Sequence, residues 1–119
     1  MLDPRAESTF QQGMDLMQRG QSREALAFLR AAVDLDDGRP GSYSGQARYE
    51  SYYGLCLSSS PNQLRKALTH CRKAVQMEAY RADVWLNLGR VALAARRRGE
   101  AYRAFEQGRV LLPPREAVE

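Results

Sequence analysis

Small and large apolar residues recur along this chain at helical spacing, and the recurrence itself repeats. Ala25, Leu29 and Ala32 form one set, Ala67, Cys71 and Ala74 a second, and Ala101, Phe105 and Gly108 a third. The order small–large–small, with gaps of four and then three, places all three residues on one helix face. The small residues let two helices approach, and the large one fills the space between them. Ahead of each set stands a glycine, Gly13, Gly54 or Gly89, within its own apolar periodic stretch. A Gly inside a helix costs about 1 kcal/mol relative to Ala. Three at equivalent places imply that close helix contact offsets the cost. The pattern predicts six helices over about 4–19, 22–35, 45–58, 61–78, 82–96 and 99–111, paired into three like units.

Punctuation supports these bounds. Asp3-Pro4 supplies an N-cap and a first-turn proline for the first helix. Ser60-Pro61-Asn62-Gln63 reads as a capping box opening the fourth. The stretch from Asp36 to Gly45 is crowded with turn residues and reads as a lengthened loop. It accounts for the wider spacing of Gly13 and Gly54 compared with Gly54 and Gly89.

The third unit carries the most specific motif. It contains Trp85-Leu86-Asn87-Leu88-Gly89, then Ala101, Phe105 and Pro113. This resembles the tetratricopeptide repeat (TPR) pattern at each of these positions, and the likeness extends over nearly the whole chain. Repeat two matches less well, Ala92 stands where the family usually has Tyr, and Thr9 stands where repeat three has Trp85. The resemblance implies an all-α, TPR-type solenoid of three antiparallel helix pairs. It is expected to form a single domain over 1–119, with repeats at about 4–37, 45–79 and 82–114.

The resemblance also implies a way of binding. In TPR proteins the first helices of successive pairs line a concave groove that holds a peptide or helix of a partner. By position, the peptide-binding residues here are Phe10, Gln11, Met14, Met17, Arg48, Tyr52, Asp83, Asn87 and Arg90, with Glu7, Ser51 and Leu55 beside them. The mix is polar and apolar, and its methionines adapt to varied partners. Some of these, Phe10, Met14 and Leu55 first, have packing between helices as the competing role. One TPR subgroup grips the terminal carboxylate of chaperone tails with Lys, Arg and Asn. The matching positions are Phe10, Met14, Tyr52, Asp83 and Asn87, and Asp83 would repel a carboxylate there.

Composition narrows the classes further. The chain has 119 residues, 44% of them hydrophobic and 27% charged, enough for one modest core. The net charge of +4 is mild for a nucleic-acid binder. Arg-rich, Lys-poor usage is the one hint of a bacterial source. No apolar run approaches the roughly 20 residues of a membrane helix, and no signal peptide is visible, so a cytoplasmic location is expected.

Candidates for chemistry are few. His70 is the sole histidine and has no second ligand at helical spacing, so a helix-surface or half-buried role is expected. Cys56 and Cys71 fall at inward positions and read as small buried thiols, with a redox pair as the alternative. Arg96-Arg97-Arg98 reads as the cationic end of the fifth helix, complementing its dipole. No phosphate loop or catalytic set appears. The expectation is a non-catalytic, cofactor-free and metal-free interaction module, adaptor or chaperone-like, for a protein or peptide partner. The alternatives are an anionic-surface or nucleic-acid binder using the basic third repeat, and a self-assembling scaffold. Pro113-Pro114 leaves too little chain for a further helix, so apolar surface near Tyr102, Val110 and Leu111 is expected to be uncovered, with weak homodimerisation as one outcome.

Overall fold

The computed structural model describes residues 3–36 and 45–113. The expected loop tip at 37–44 and the segment 114–119 lie outside the described residues. Six α-helices follow one another: α1 (Pro4–Gln18), α2 (Ser22–Leu35), α3 (Gln46–Leu57), α4 (Leu64–Met77), α5 (Ala82–Ala94) and α6 (Arg98–Leu111). A 3-10 turn, Pro61–Gln63, leads into α4. No strand occurs among the described residues. The helices form three antiparallel pairs stacked side by side, an all-α solenoid of the TPR type.

The small–large rule that predicted the pairs is what closes them. A Cβ on Gly13 would lie 2.8 Å from the Leu29 side chain, and one on Gly89 would lie 2.6 Å from the Phe105 ring. On Gly54 it would meet Cys71 Sγ at 2.7 Å and the Ala67 carbonyl oxygen at 2.9 Å. Each glycine of a first helix therefore receives the large residue of its own second helix. The core continues from pair to pair through Ala6, Phe10, Leu29, Tyr49, Tyr53, Leu68, Val84, Leu88 and Ala104.

The ends of the helices follow local chemistry, with two corrections to the sequence reading. Asp3 does cap α1, its side chain accepting from the Arg5 amide at 2.9 Å. The capping box at Ser60 does not form. Its side chain makes no cap bond, and its carbonyl instead accepts from Gln63 N at 2.9 Å, the short-range bond of a 3-10 turn. The Ser58 and Ser59 hydroxyls turn back onto the carbonyls of Leu55 and Cys56, ending α3 at Leu57. Nor do the three arginines end α5. The helix stops at Ala94, and Arg96 adopts the left-handed conformation at φ 61°. The bonds Arg96 N to Leu93 O and Arg97 N to Ala92 O complete a Schellman turn. The same motif ends α1, where Gly20 takes φ 78° at the equivalent place. Arg98 consequently opens α6, where a cation gains nothing from the dipole.

Between repeats the contacts are polar as well as apolar. Arg72 on α4 meets Glu100 on α6 through two bonds of 2.7 and 2.8 Å, and Arg97 adds a third at 2.8 Å. The Arg72 guanidinium, with Arg97 second, outweighs burial and holds the Glu100 carboxyl down to about 2. Trp85 also works between elements, donating from its indole to the Ala79 carbonyl at 2.7 Å and pinning the turn before α5. No helix among the described residues is long and apolar enough to cross a membrane.

Candidate functional site

Aligning the repeats on Gly13, Gly54 and Gly89 puts nine residues into three rows across α1, α3 and α5. The rows are Glu7, Arg48 and Asp83; Gln11, Tyr52 and Asn87; and Met14, Leu55 and Arg90. Within each helix they follow one another by four and then three residues, so each helix offers one face.

The α1–α3 end is an aromatic and ionic knot. Phe10 is buried, its ring centroid 4.9 Å from that of Tyr49 and 5.7 Å from that of Tyr52. The Arg48 guanidinium lies over the Phe10 ring at 4.8 Å and bonds Glu7 at 3.0 Å. Glu7 also accepts from Tyr49 Oη at 2.7 Å and from Gln11 Nε2 at 3.0 Å. Burial alone would raise the Glu7 carboxyl, but these three donors outweigh it and leave it below the usual range. Burial, with Glu7 beside it, pushes the Tyr49 hydroxyl well up, so it remains a donor. Met14 and Met17 are partly buried against the core, and Gln11 is exposed.

The α3–α5 end is a polar ladder. Asn87 is fully buried and donates its amide to Ser51 Oγ at 2.9 Å. Its amide oxygen accepts from Arg90 at 2.9 Å. Tyr52, half-buried, donates to Asp83 at 3.4 Å, and Asp83 also accepts from Arg81 at 3.3 Å. Burial first, and the Asp83 charge second, raise the Tyr52 hydroxyl. Tyr52 thus touches both ends, Phe10 on one side and Asp83 on the other.

Placement refines the expected lining. Phe10 and Asn87 belong to the face but are buried beneath it, while Arg48 and Tyr52 are half-buried and Arg90 is exposed. Ser51, expected beside the lining, is fully buried as well.

Sequence reasoning missed one cluster. Glu50, only 2% exposed, accepts from His70 Nδ1, from Lys73 at 3.3 Å and from Gln46 at 3.4 Å. The Tyr53 ring packs edge-on against His70 at 4.9 Å. His70 is therefore half-buried on its helix as expected, but with a carboxylate partner that spacing along one helix does not reveal. The cysteines are free and buried. Cys56 donates to the Ser22 carbonyl and Cys71 to the Ser51 carbonyl. Burial, with the Glu50 charge adding, pushes the Cys71 thiol up to about 12. No group of three His, Cys, Asp or Glu side chains able to hold a metal occurs among the described residues. At the far end Tyr102 and Val110 are 69% and 66% exposed, while Leu111 is partly covered.

No protein-family model matches the sequence, and no curated protein matches it. Solved structures do. The second TPR of Spaghetti (RPAP3), bound to the HSP90 peptide SRMEEVD, superposes with a TM-score of 0.73 at 15% identity. That match covers 92% of this chain and 94% of the RPAP3 domain. YrrB, a TPR protein with an unusual peptide-binding site, gives 0.71 at 20% identity. It covers 93% of this chain and 53% of YrrB, so the chain spans about half of that structure. At such identities the fold is what is shared, and it is the TPR solenoid.

Proposed function

We propose that this protein is a non-catalytic interaction module that binds a peptide or helix of a protein partner on the α1–α3–α5 face, in an adaptor or chaperone-like role. One observation carries the reading. Tyr52 joins the Phe10–Arg48 knot to the Asp83–Arg90 ladder, giving a continuous surface of alternating apolar and polar groups across three repeats. Ligand sites in general combine apolar area with a few positioned polar groups. The peptide-bound state of the RPAP3 domain and the peptide site of YrrB support the reading, because both have this fold. The lining is Gln11, Met14, Met17, Arg48, Tyr52, Asp83 and Arg90, with Phe10 and Asn87 supporting it from below.

The alternative of an anionic partner at the arginine turn has less in its favour. Arg97 is already occupied by Glu100, which Arg72 also holds. A photocrosslinking residue at Gln11, compared with one at exposed Thr69 on α4, tests the proposal in the native cell. Crosslinking of one partner from position 11 and not from 69 is expected. The reverse pattern overturns the groove assignment.

A further inference from the structure

The second helices of the three pairs, α2, α4 and α6, run parallel to one another, so all three begin at one edge of the solenoid. Contacts there tie the starts together. A cavity of about 420 Å³ lies between the start of α2 and the α3–α4 turn, lined by Ser22, Arg23, Leu26, Ser59 and Ser60. Arg72 of α4 and Arg97 share Glu100 in the first turn of α6. Arg97 is spent on that contact, but the cations around it are not. Arg23, Arg65, Lys66, Arg96, Arg98 and Arg103 are exposed and make no ion pair among the described residues. Of the acids at this edge, Asp15 is held by Arg19 and Glu100 by Arg72 and Arg97, which leaves Glu24 against these cations.

The cations stand where they cost stability. Arg23, Arg65, Lys66 and Arg98 lie in the first turns of their helices, where the dipole opposes positive charge, and α4 has no acid in its first turn to offset it. Arg96 holds the left-handed conformation that glycine fills at Gly20. Arginine-rich composition does not account for this placement. At the opposite edge Asp3 meets Arg5 at 3.8 Å and Asp34 meets Arg30 at 4.0 Å, while Glu78 and Asp83 meet Arg81 at 3.7 and 3.3 Å. Charge is paired there and unpaired here, so the positive excess orients the molecule toward an anionic surface.

Apolar side chains stand beside the third repeat's cations. Leu93 in the last turn of α5 is 55% exposed, and Tyr102 in the second turn of α6 is 69% exposed. Cations flanking a leucine and an amphipathic tyrosine suit the interface of a membrane. A nucleic-acid strand calls for a basic groove with rings on which its bases stack. The cavity at this edge offers hydroxyls, one guanidinium and the Leu26 side chain, and no ring. We infer that this edge is a docking surface for an anionic lipid bilayer. The unpaired cations meet headgroup phosphates and carboxylates, Leu93 and Tyr102 enter the headgroup layer, and the α1–α3–α5 residues assigned to a peptide take no part.

Flotation of the full chain with lipid vesicles tests this. Binding is expected to vesicles of phosphatidylcholine mixed with phosphatidylserine, falling steeply as salt rises, and not to phosphatidylcholine alone. Arg65→Gln/Lys66→Gln and Arg96→Gln/Arg98→Gln should each weaken it about tenfold or more. Neither variant should melt earlier than the parent, since both relieve charge at a helix start. Leu93→Ser/Tyr102→Ser should weaken binding at every salt concentration. Arg5→Gln/Arg109→Gln removes the same charge from the opposite edge and should leave binding within about twofold of the parent. An equal loss in all three charge variants would mean that net charge, and not this edge, holds the bilayer, and would overturn the inference. So would vesicle binding indifferent to phosphatidylserine. It falls equally if no vesicle is bound, including the case in which a single-stranded oligonucleotide or polyglutamate is bound instead.

Discussion

Asn87 and Ser51 bond to each other at 2.9 Å in full burial, joining the first helix of the third repeat to that of the second. The pair is worth more than an ordinary surface hydrogen bond, because losing one partner leaves the other's polar group buried and unpaired. Asn87→Leu is expected to destabilise the protein by about 1–3 kcal/mol. Ser51→Ala should cost less, since it is the smaller change. The double variant Ser51→Ala/Asn87→Leu should cost less than the two singles combined, as neighbours that share a bond are not additive. Thermal or urea melts decide. Strict additivity would mean that the two side chains are not coupled.

Gly89 and Ala101 stand where α5 and α6 close on each other. A Cβ at Gly89 would fall 2.6 Å from the Phe105 ring, and Ala101 is 2% exposed. Gly89→Leu and Ala101→Trp should each cost about 1–3 kcal/mol or more through overpacking. A melting temperature unchanged in both would remove the tight contact from the account of the fold.

These contacts were legible in the sequence because they are local. Gly13 with Leu29, Gly54 with Cys71 and Gly89 with Phe105 each belong to one helix hairpin, and their spacing is a property of helical geometry. The face of α1, α3 and α5 was legible for the same reason, as one register repeated three times. What could not be read was depth and long-range partnering. That Asn87 lies under the face rather than on it depends on how far α5 sinks against α3. That His70 and Lys73 meet Glu50 depends on the register of α4 against α3. The Ser60 box failed on a different ground: a correct capping string lost to a 3-10 turn.

Arg96 carries a backbone cost that glycine would not. Its φ of 61° is the left-handed conformation that Gly20 occupies at the matching end of α1. For a side-chain-bearing residue that conformation costs roughly 1–2 kcal/mol. Glycine gives back part of the gain through its freer unfolded chain. Arg96→Gly is expected to raise stability by about 0.5–1 kcal/mol, seen as a rise of a few degrees in melting temperature. Gly20→Ala should move it the other way. A fall in stability for Arg96→Gly would mean that the arginine side chain makes a contact that outweighs its backbone strain.

Glu100 links stability to acid. The Arg72 hydrogen bonds hold its carboxyl at about 2, below the value of 4.5 it has when unperturbed. A group whose folded value is depressed favours folding fully above its unfolded value. That contribution fades as the pH falls through the window from 4.5 toward 2, where the folded protein must take up the proton the unfolded chain already holds. The Arg72–Glu100 pair joins α4 to α6, so its loss loosens the third repeat from the second. Glu100→Gln should therefore be less stable than the parent at neutral pH, and the gap between them should narrow steadily as the pH is lowered through that window. Parallel melts of parent and variant from pH 7 to pH 2 test this. A gap that stays constant across the range would show that Glu100 acts through packing and not through its charge.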